Sequence, residues 1–268
     1  MNQSKYTVAE LLRVMQRLRD PVSGCPWDIA QDFDSIVPST LEECYELAEA
    51  IEQGDFPHVA EELGDVLFQV IFYAQMGSEQ GLFSFDSVVS TLVEKLLRRH
   101  PHVFANGEIE GVVADSRSIE DVQNSWEDSK RQERASRQQM GALADVPVLL
   151  PALPRAQKLQ KRAAQVGFDW PDHEGPLAKL TEEIAELREA LISGDQAHIK
   201  EELGDLIFSC VNLARHLDLD AEETLRRASG KFENRFTRME GLAQERGDSL
   251  AELSDQELDL LWNRCKES

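Results

Sequence analysis

The feature that most constrains the fold of this chain is an internal repeat. Residues 42–74 align without a gap on residues 182–214, and 16 of the 33 aligned pairs are identical. The identical pairs include the run EELGD, which occupies residues 61–65 and again residues 201–205. A long self-match of this kind indicates one supersecondary unit used twice. The chain is therefore expected to fold as two related units.

Further matching positions extend the repeat after a four-residue deletion. They pair two cations and a WxxxK motif in one copy with their counterparts in the other: Lys95 with Lys231, Arg99 with Arg235, Trp126 with Trp262, and Lys130 with Lys266. Between the copies, a strongly charged stretch is followed by PVLLPALP, whose three prolines oppose a continuous helix. We predict a first domain at residues 1–137, a linker at 138–152 and a second domain at 153–268.

The hydrophobic pattern inside each copy predicts helices. In the first copy, apolar residues recur at the i, i+3, i+4 and i+7 spacing of one helix face: Val59, Leu63, Val66, Leu67, Val70, Ile71 and Ala74. No convincing strand alternation is present, so the predicted fold class is all-α, with two tandem domains built as four-helix-bundle-type cores. Each hairpin has more apolar surface than it can bury alone. We therefore expect homodimerisation to complete the cores.

The charge balance limits the classes of partner. The chain has 50 acidic and 28 basic residues, a net charge of −22. Such a surface repels nucleic acid, whose binding depends on basic residues, and any phosphate chemistry is expected to need a metal ion. No N-terminal leader pattern or apolar run approaching ~20 residues is present, so we expect a cytoplasmic protein without a membrane partner.

The most repeated part of each copy predicts an acidic helical hairpin. Ser39 is expected to cap its first helix, with Glu42 in the capping-box position. The chain is expected to turn at Gly54-Asp55 and, in the second copy, at Gly194-Asp195. His58 and His198 recur near these turns and are expected to cap or bridge there.

Four carboxylates of each hairpin are predicted to converge. Two lie at i, i+3 before the turn and two at i, i+3 after it, at matching heights along the helices. They are Glu43, Glu46, Glu62 and Asp65 in the first copy, and Glu183, Glu186, Glu202 and Asp205 in the second. Like charges this close repel, by roughly a few kcal/mol, and a hard cation such as Mg²⁺ or Mn²⁺ relieves the repulsion. A solvated acidic face is the alternative, which the duplication makes less favourable.

The repeated basic and aromatic positions allow two interpretations each. The Lys/Arg pairs at 95/99 and 231/235 lie at i, i+4 and either neutralise phosphate or form salt bridges. A tryptophan is most often a core residue, but Trp126 and Trp262 could instead stack on a base or sugar. Lys130 and Lys266, one turn further on, would then reach the phosphates.

Taken together, EExxE followed by ExxD, KLLRRHPHVF at residues 95–104, WxxxK, and CPWD at 25–28 resemble the MazG family of nucleoside triphosphate pyrophosphohydrolases. The resemblance covers nearly the whole chain, including the tandem arrangement. It implies an all-α pyrophosphohydrolase fold, Mg²⁺ dependence with Mn²⁺ as a substitute, and homodimerisation. It also implies hydrolysis of ribo- or deoxyribonucleoside triphosphates to monophosphate and pyrophosphate, often with broad base tolerance, as a house-cleaning activity on the nucleotide pool.

The resemblance also implies roles for individual residues of the second copy. Metal ligands would be Glu183, Glu186, Glu202 and Asp205, of which Glu183 counts also as catalytic. Glu182 and Glu201 are spare carboxylates that would also contact the substrate, and one of them would orient or deprotonate water. Phosphates would be held by Lys179, Lys231, Arg235 and Lys266, and the nucleoside by Trp262.

Differences between the copies favour the second as the working site. Ser39 stands in the first copy where the second has Lys179, and Ala60 where the second has Lys200. The first-copy equivalents, residues 43, 46, 62, 65, 95, 99, 126 and 130, are therefore the weaker candidates. Two alternatives remain open: a non-catalytic helical scaffold that binds ions and protein partners, and a narrow hydrolase for a dUTP-like or damaged nucleotide.

Overall fold

The computed structural model describes residues 6–111, 118, 121–122, 125–126 and 141–266. Its contacts divide the chain into one compact unit at residues 1–130 and another at 131–268. Within the described ranges the regular elements are helices and no strand occurs, which confirms the all-α prediction. The domain limits at 137 and 153 stay predictions.

The first unit is organised around one helical hairpin. Its helices are α1 (Val8–Leu18), α2 (Pro26–Ala30), α3 (Val37–Gln53), α4 (Phe56–Glu79) and α5 (Phe85–Arg99), followed by a short 3-10 turn at Ala105–Gly107. Helices α3 and α4 pair as the hairpin, while α1 and α5 both pack on α4. The buried core between them contains Met15, Ile36, Ile71, Phe72 and Met76.

The second unit repeats that hairpin and adds a packed pair of helices at its end. Its elements are α6 (Ala152–Ala164), α7 (Glu174–Ser193), α8 (Gln196–His216), α9 (Ala221–Gln244), a 3-10 turn at Leu250–Glu252, and α10 (Asp255–Lys266). Helices α7 and α8 form the hairpin, α6 packs on α8 and α9, and α10 packs on α9. Met239, Ala243, Leu261 and Cys265 form the core between α9 and α10.

Both hairpin turns lie where the repeat predicts them. Gly54 and Gly194 end α3 and α7 in the left-handed region, each with φ of 72°. Asp55 accepts a hydrogen bond from the His58 backbone N–H, and Asp195 accepts from the backbone N–H groups of Ala197 and His198. A glycine that stops one helix and an aspartate that caps the next fix the register of each hairpin.

The predicted cap at Ser39 is wrong. Helix α3 begins at Val37 after Ile36, so Ser39 lies inside the first turn. Pro38 explains the earlier start, because proline has no backbone N–H to lose and its φ suits the first turn of a helix. In the repeat Val37 aligns with Leu177, and α7 begins at Glu174, so the second hairpin starts earlier than the first.

The apolar stripe on α4 is only partly buried within a single chain. Ile71 and Ala74 are buried, but Leu63, Leu67 and Val70 are 54%, 37% and 41% exposed. These three side chains are not part of the core within a single chain. Their exposure is what the expected dimer would cover.

No helix within the described ranges is both long enough and apolar enough to cross a membrane.

Candidate active site

Three glutamates of the second hairpin meet closely enough to share a metal ion. Glu183 and Glu186 on α7 and Glu202 on α8 each offer a carboxylate oxygen, and these oxygens lie within 4.8 Å of one another. Glu183 is the most buried of them, at 3% exposure. In the first hairpin, Glu43, Glu46 and Glu62 form the same group.

The fourth predicted carboxylate lies at the edge of each group rather than within it. Asp65 and Asp205 are exposed and fall outside the closest set of oxygens. Each follows its glutamate by three residues, on the same face of the helix. Asp65 is still near enough to Glu43 for its charge to raise the pKa of that carboxyl. The structure thus brings three of the four together and places the aspartate beside them.

Both groups show the electrostatic conflict that a cation relieves. Desolvation raises the pKa of Glu43, and the charges of Asp65, Glu46 and Glu62 raise it further. Desolvation likewise raises the pKa of Glu186, and Lys179 opposes this effect. One buried oxygen of Glu62, Oε2, has no hydrogen-bond partner within the described part of the chain. Carboxylates crowded and desolvated in this way fit a hard divalent ion.

Lys179 lies against the carboxylates of the second hairpin. Its Nζ is 2.8 Å from Oε1 of Glu182 and 2.8 Å from Oε1 of Glu183. The hydrogen bond to Glu182, followed by the one to Glu183, raises the pKa of the lysine. In the first hairpin Ser39 holds the aligned position. In the second hairpin, therefore, a lysine side chain contacts Glu183, a member of the candidate metal group.

A histidine contacts one glutamate of each group. His58 Nε2 is 2.7 Å from Oε1 of Glu62, and His198 Nε2 is 3.0 Å from Oε1 of Glu202. The sequence indicated only that these histidines cap or bridge near the turn. Their i, i+4 spacing to a repeated glutamate was the signal that could have identified the partner. A hydrogen-bonding contact of this kind can fix the orientation of a carboxylate that binds a metal ion.

The three basic residues of α9 and α10 that were predicted to hold phosphates line one cavity. Lys231, Arg235 and Lys266 line a cavity of about 590 Å³ together with Arg227, Gly230, Asn234, Arg238 and Cys265. No carboxylate is among these lining residues, so within the described part of the chain this basic cavity suits an anion.

Trp262 packs beside that cavity. Its ring centroid is 5.3 Å from that of Phe232, and Lys266 Nζ is 5.9 Å from the Trp262 centroid. It also packs on the buried core between α9 and α10. The tryptophan therefore serves the core, as the more ordinary interpretation proposes, while its other side adjoins Lys266.

The remaining candidate residues are less closely grouped. Glu182 holds Lys179, and Glu201 is exposed on α8. Lys95 and Arg99 lie on α5. The Trp126 ring centroid is 5.5 Å from that of His100. Lys130 lies outside the described residues.

Comparison with known proteins finds the same domain twice in this chain. The family model of the MazG nucleotide pyrophosphohydrolase domain matches twice, at residues 31–104 and 172–240, and each match contains one acidic hairpin. A nucleoside triphosphate pyrophosphohydrolase of Escherichia coli K12 is 46% identical over 97% of this chain and 97% of its own length. A Thermotoga maritima protein named nucleoside triphosphate pyrophosphohydrolase/pyrophosphatase MazG is 44% identical over 99% of this chain and 98% of its own.

A third relative covers less of the chain. It is a nucleoside triphosphate pyrophosphohydrolase of Mycolicibacterium smegmatis, 37% identical over 60% of this chain and 47% of its own length. Since the family model covers both hairpins and the first two likenesses run the full length, the chain belongs to the MazG nucleotide pyrophosphohydrolase family.

Proposed function

We propose that this chain hydrolyses nucleoside triphosphates, ribo- or deoxyribo-, to nucleoside monophosphate and pyrophosphate, with Mg²⁺ as cofactor and broad base tolerance. The observation that carries the proposal is the convergence of Glu183, Glu186 and Glu202 within 4.8 Å, repeated in the first hairpin. The names of the full-length relatives in Escherichia coli and Thermotoga maritima support the reaction class. We propose house-cleaning of the nucleotide pool as the role and the cytoplasm as the location.

The donor set supports the choice of ion. Glu183, Glu186, Glu202 and Asp205 would hold Mg²⁺ through carboxylate oxygens, the ligands that Mg²⁺ and Mn²⁺ prefer. When bound, the ion would supply charge neutralisation at the triphosphate oxygens. His198, in contact with Glu202, would keep that carboxylate oriented.

The reaction needs positioning and charge neutralisation more than a special nucleophile. A water oxygen forms a bond to phosphorus at the α–β anhydride, the bridging P–O bond breaks, and pyrophosphate leaves. One proton of the water passes to a carboxylate. Glu182 and Glu201 are the candidates for this acceptor because neither belongs to the closest ligand group. Lys179 already occupies one oxygen of Glu182, which leaves Glu201 the less engaged of the two.

Four cations of the second unit are assigned to the phosphates: Lys179, Lys231, Arg235 and Lys266. The last three share the basic cavity between α9 and α10, and Lys179 lies at the carboxylates. Trp262 adjoins Lys266 and is assigned to the sugar or base. The substitutions at positions 39 and 60 make the first hairpin the weaker site.

We also propose that the protein works as a homodimer. The exposed side chains of Leu63, Leu67 and Val70 on α4, and of Leu203 and Ile207 on α8, support this. Apolar surface of this extent on a hairpin is typical of a helical interface.

Pyrophosphate release from each triphosphate in the presence of Mg²⁺ tests the proposal. We expect release from several nucleotides and none after chelation of the metal. If the protein binds Mg²⁺ but releases pyrophosphate from no nucleotide, the proposed hydrolytic activity is overturned and the ion-binding scaffold is favoured. Competition among nucleotides separates broad tolerance from a narrow activity on one damaged or dUTP-like substrate.

A further inference from the structure

The basic cavity between α9 and α10 contains more cations than the proposed phosphate contacts use. Lys231, Arg235 and Lys266 are assigned to those contacts, and two further arginines, Arg227 and Arg238, line the same cavity of about 590 Å³. Cations gathered around one cavity repel each other. In a chain whose net charge is −22, such a group indicates a ligand with several negative charges.

The two further arginines differ in their own contacts. Arg227 Nη2 lies 2.6 Å from Oε1 of Glu223, one turn earlier on α9, so its charge has a partner on its own helix. Arg238 is exposed and has no ion pair within the residues that the structure describes. Arg238 is therefore the cation of the cavity that neither a carboxylate nor an assigned phosphate contact accounts for.

Helix α9 places Arg238 in line with two of the assigned cations. Lys231, Arg235 and Arg238 stand at i, i+4 and i+7, which is one face of the helix. At 1.5 Å per residue, Arg238 lies about 10 Å further along the axis than Lys231. Like charges at these spacings destabilise a helix. A linear chain of phosphates, with its negative charges spaced along its length, is the kind of ligand that neutralises all three.

A glycine leaves space on the same face of α9. Gly230 lines the cavity and lies inside the helix that runs over Ala221–Gln244. Its φ is not positive, and an added Cβ would have no atom within 4 Å in the described part of the chain. Neither the backbone nor the packing requires glycine here, although glycine is unfavourable inside a helix. Its effect is to leave the cavity open beside Lys231.

The first unit differs at both of these positions. In the repeat, Gly230 aligns with Glu94, and Arg238 aligns with His102. The two assigned cations of α9 are kept as lysine and arginine in the first unit. The second unit thus has open space where the first has a carboxylate, and a guanidinium where the first has an imidazole. Both differences favour a longer anion in the second unit.

We propose that Arg238 extends the phosphate site, so that the chain also hydrolyses nucleotides with more than three phosphates in a row, such as nucleoside tetraphosphates. Arg238 contacts the terminal phosphate, to which a guanidinium can donate two parallel hydrogen bonds. The water oxygen forms its bond at the α–β anhydride as before, the bridging P–O bond breaks, and inorganic tripolyphosphate leaves in place of pyrophosphate. One proton of the water again passes to a carboxylate. The inference rests on the proposed function, because it lengthens the phosphate chain of the same substrate.

The experiment compares adenosine tetraphosphate with ATP in the presence of Mg²⁺, and chromatography identifies the products. We expect the wild-type protein to form AMP from both, with tripolyphosphate as the other product of the tetraphosphate. Arg238→Gln should lower the ratio of kcat/KM for the tetraphosphate over ATP about tenfold, the effect of losing one hydrogen bond to a charged group. Arg246→Gln, the same change at an exposed arginine beyond the end of α9, is the matched control and should leave the ratio unchanged.

A second variant introduces the carboxylate of the first unit into the cavity. Gly230→Glu replaces glycine with a good helix former, so the helix should be retained. Repulsion of the longer anion should lower the same ratio of kcat/KM, and this result supports the inference even if Arg238→Gln does not fold. If Gly230→Glu folds and leaves the ratio unchanged, the cavity does not receive the terminal phosphate and the inference is overturned.

The outcomes distinguish this inference from the proposed function. Equal losses for both nucleotides after Arg238→Gln would overturn the inference, since the arginine would then act on any phosphate chain alike. A wild-type protein that hydrolyses ATP but forms no AMP from the tetraphosphate would also overturn it, while the proposed function would stand.

If the wild-type protein acts on neither nucleotide, the proposed function fails, and calorimetric titration of both nucleotides with Mg²⁺ tests the cavity without turnover. Arg238→Gln should then change the ratio of the two dissociation constants about tenfold, by weakening the tetraphosphate more. An unchanged ratio would overturn the inference.

Discussion

Lys179 Nζ lies 2.8 Å from Oε1 of Glu183, so that an ammonium group rests on a carboxylate of the candidate metal group. Glu183 is almost fully buried, and an unpaired charge there would be costly. The first hairpin has a serine at the aligned position, and desolvation and like charges raise the pKa of Glu43. The two hairpins therefore differ at this position, where the second has a lysine in contact with the carboxylates and the first has a serine.

Replacing Lys179 by methionine is expected to strengthen Mg²⁺ binding while weakening catalysis. The lysine competes with the ion for Glu183, and an ion pair of this exposure contributes below about 1 kcal/mol, so affinity should rise roughly two- to fivefold. Loss of a phosphate contact should lower kcat/KM about tenfold or more. Calorimetric titration and the pyrophosphate assay measure the two effects. Weaker Mg²⁺ binding would show that the lysine supports the ion site instead. Lys161→Met, a change at an exposed lysine of α6, controls for net charge.

Removing a metal-group carboxylate should affect the two copies unequally. We expect Glu183→Ala or Asp205→Ala to lower turnover at least about a hundredfold, because charge neutralisation at the phosphates is lost. Glu43→Ala, the matched change in the first hairpin, should retain a sizeable fraction of activity. Steady-state pyrophosphate release measures both. Equal losses from either hairpin would contradict the ranking of the second as the working site.

His198, which contacts Glu202, is expected to affect the affinity of the site for Mg²⁺. His198 Nε2 is 3.0 Å from Oε1 of Glu202, and residues that orient a ligand typically change metal affinity about 10- to 100-fold when mutated. We expect His198→Ala to weaken Mg²⁺ activation within that range, measured as the Mg²⁺ concentration at half-maximal rate. His58→Ala makes the same change at Glu62 and should leave this value nearly unchanged. If both variants matched the wild type, the contact would have no part in holding the ligand.

Acid should remove a stabilising ion pair in the second unit. Hydrogen bonds from Arg215 lower the pKa of Asp169 from 3.8 to about 2. A lowered folded-state pKa adds stability above the unfolded value, and that stability is lost as the pH falls towards 2. After allowance for partial exposure, Asp169→Asn should cost about 1–2 kcal/mol at pH 7.

Urea unfolding measures the Asp169→Asn effect at pH 7 and near pH 2. The gap between variant and wild type should close at the lower pH. Asp248→Asn, an exposed aspartate in the same unit, is the control and should change little at either pH. A gap that persists near pH 2 would mean that the amide acts through packing and not through lost charge.

The acidic hairpin was predictable because its information is local. The 3.6-residue period places Glu183 and Glu186 on one face of a helix. The glycine turn brings Glu202 level with Glu186 on the next helix. The structure confirms the turn residues and groups these glutamates. The family was predictable for the same reason, since the duplicated motifs are short and close together.

What the sequence did not reveal depends on packing between distant segments. Arg238 and Lys266 belong to α9 and α10, and they line one cavity only because α10 packs on α9. The resemblance assigned Lys179 to the phosphates, and its contacts with Glu182 and Glu183 were not predicted. The cap at Ser39 was wrong because Pro38, the preceding residue, suits the first turn of a helix and the helix begins before it.

Because α3 and α7 begin at different positions of the repeat, a lysine introduced into the first hairpin would not have the same surroundings as Lys179. Lys179 is the sixth residue of α7, whereas Ser39 is only the third residue of α3. A lysine introduced at position 39 would sit in the first turn, where the helix dipole disfavours a cation by roughly 0.3–1 kcal/mol. The two copies thus differ in helix length as well as in side chains, and a lysine at position 39 would not have the environment of Lys179.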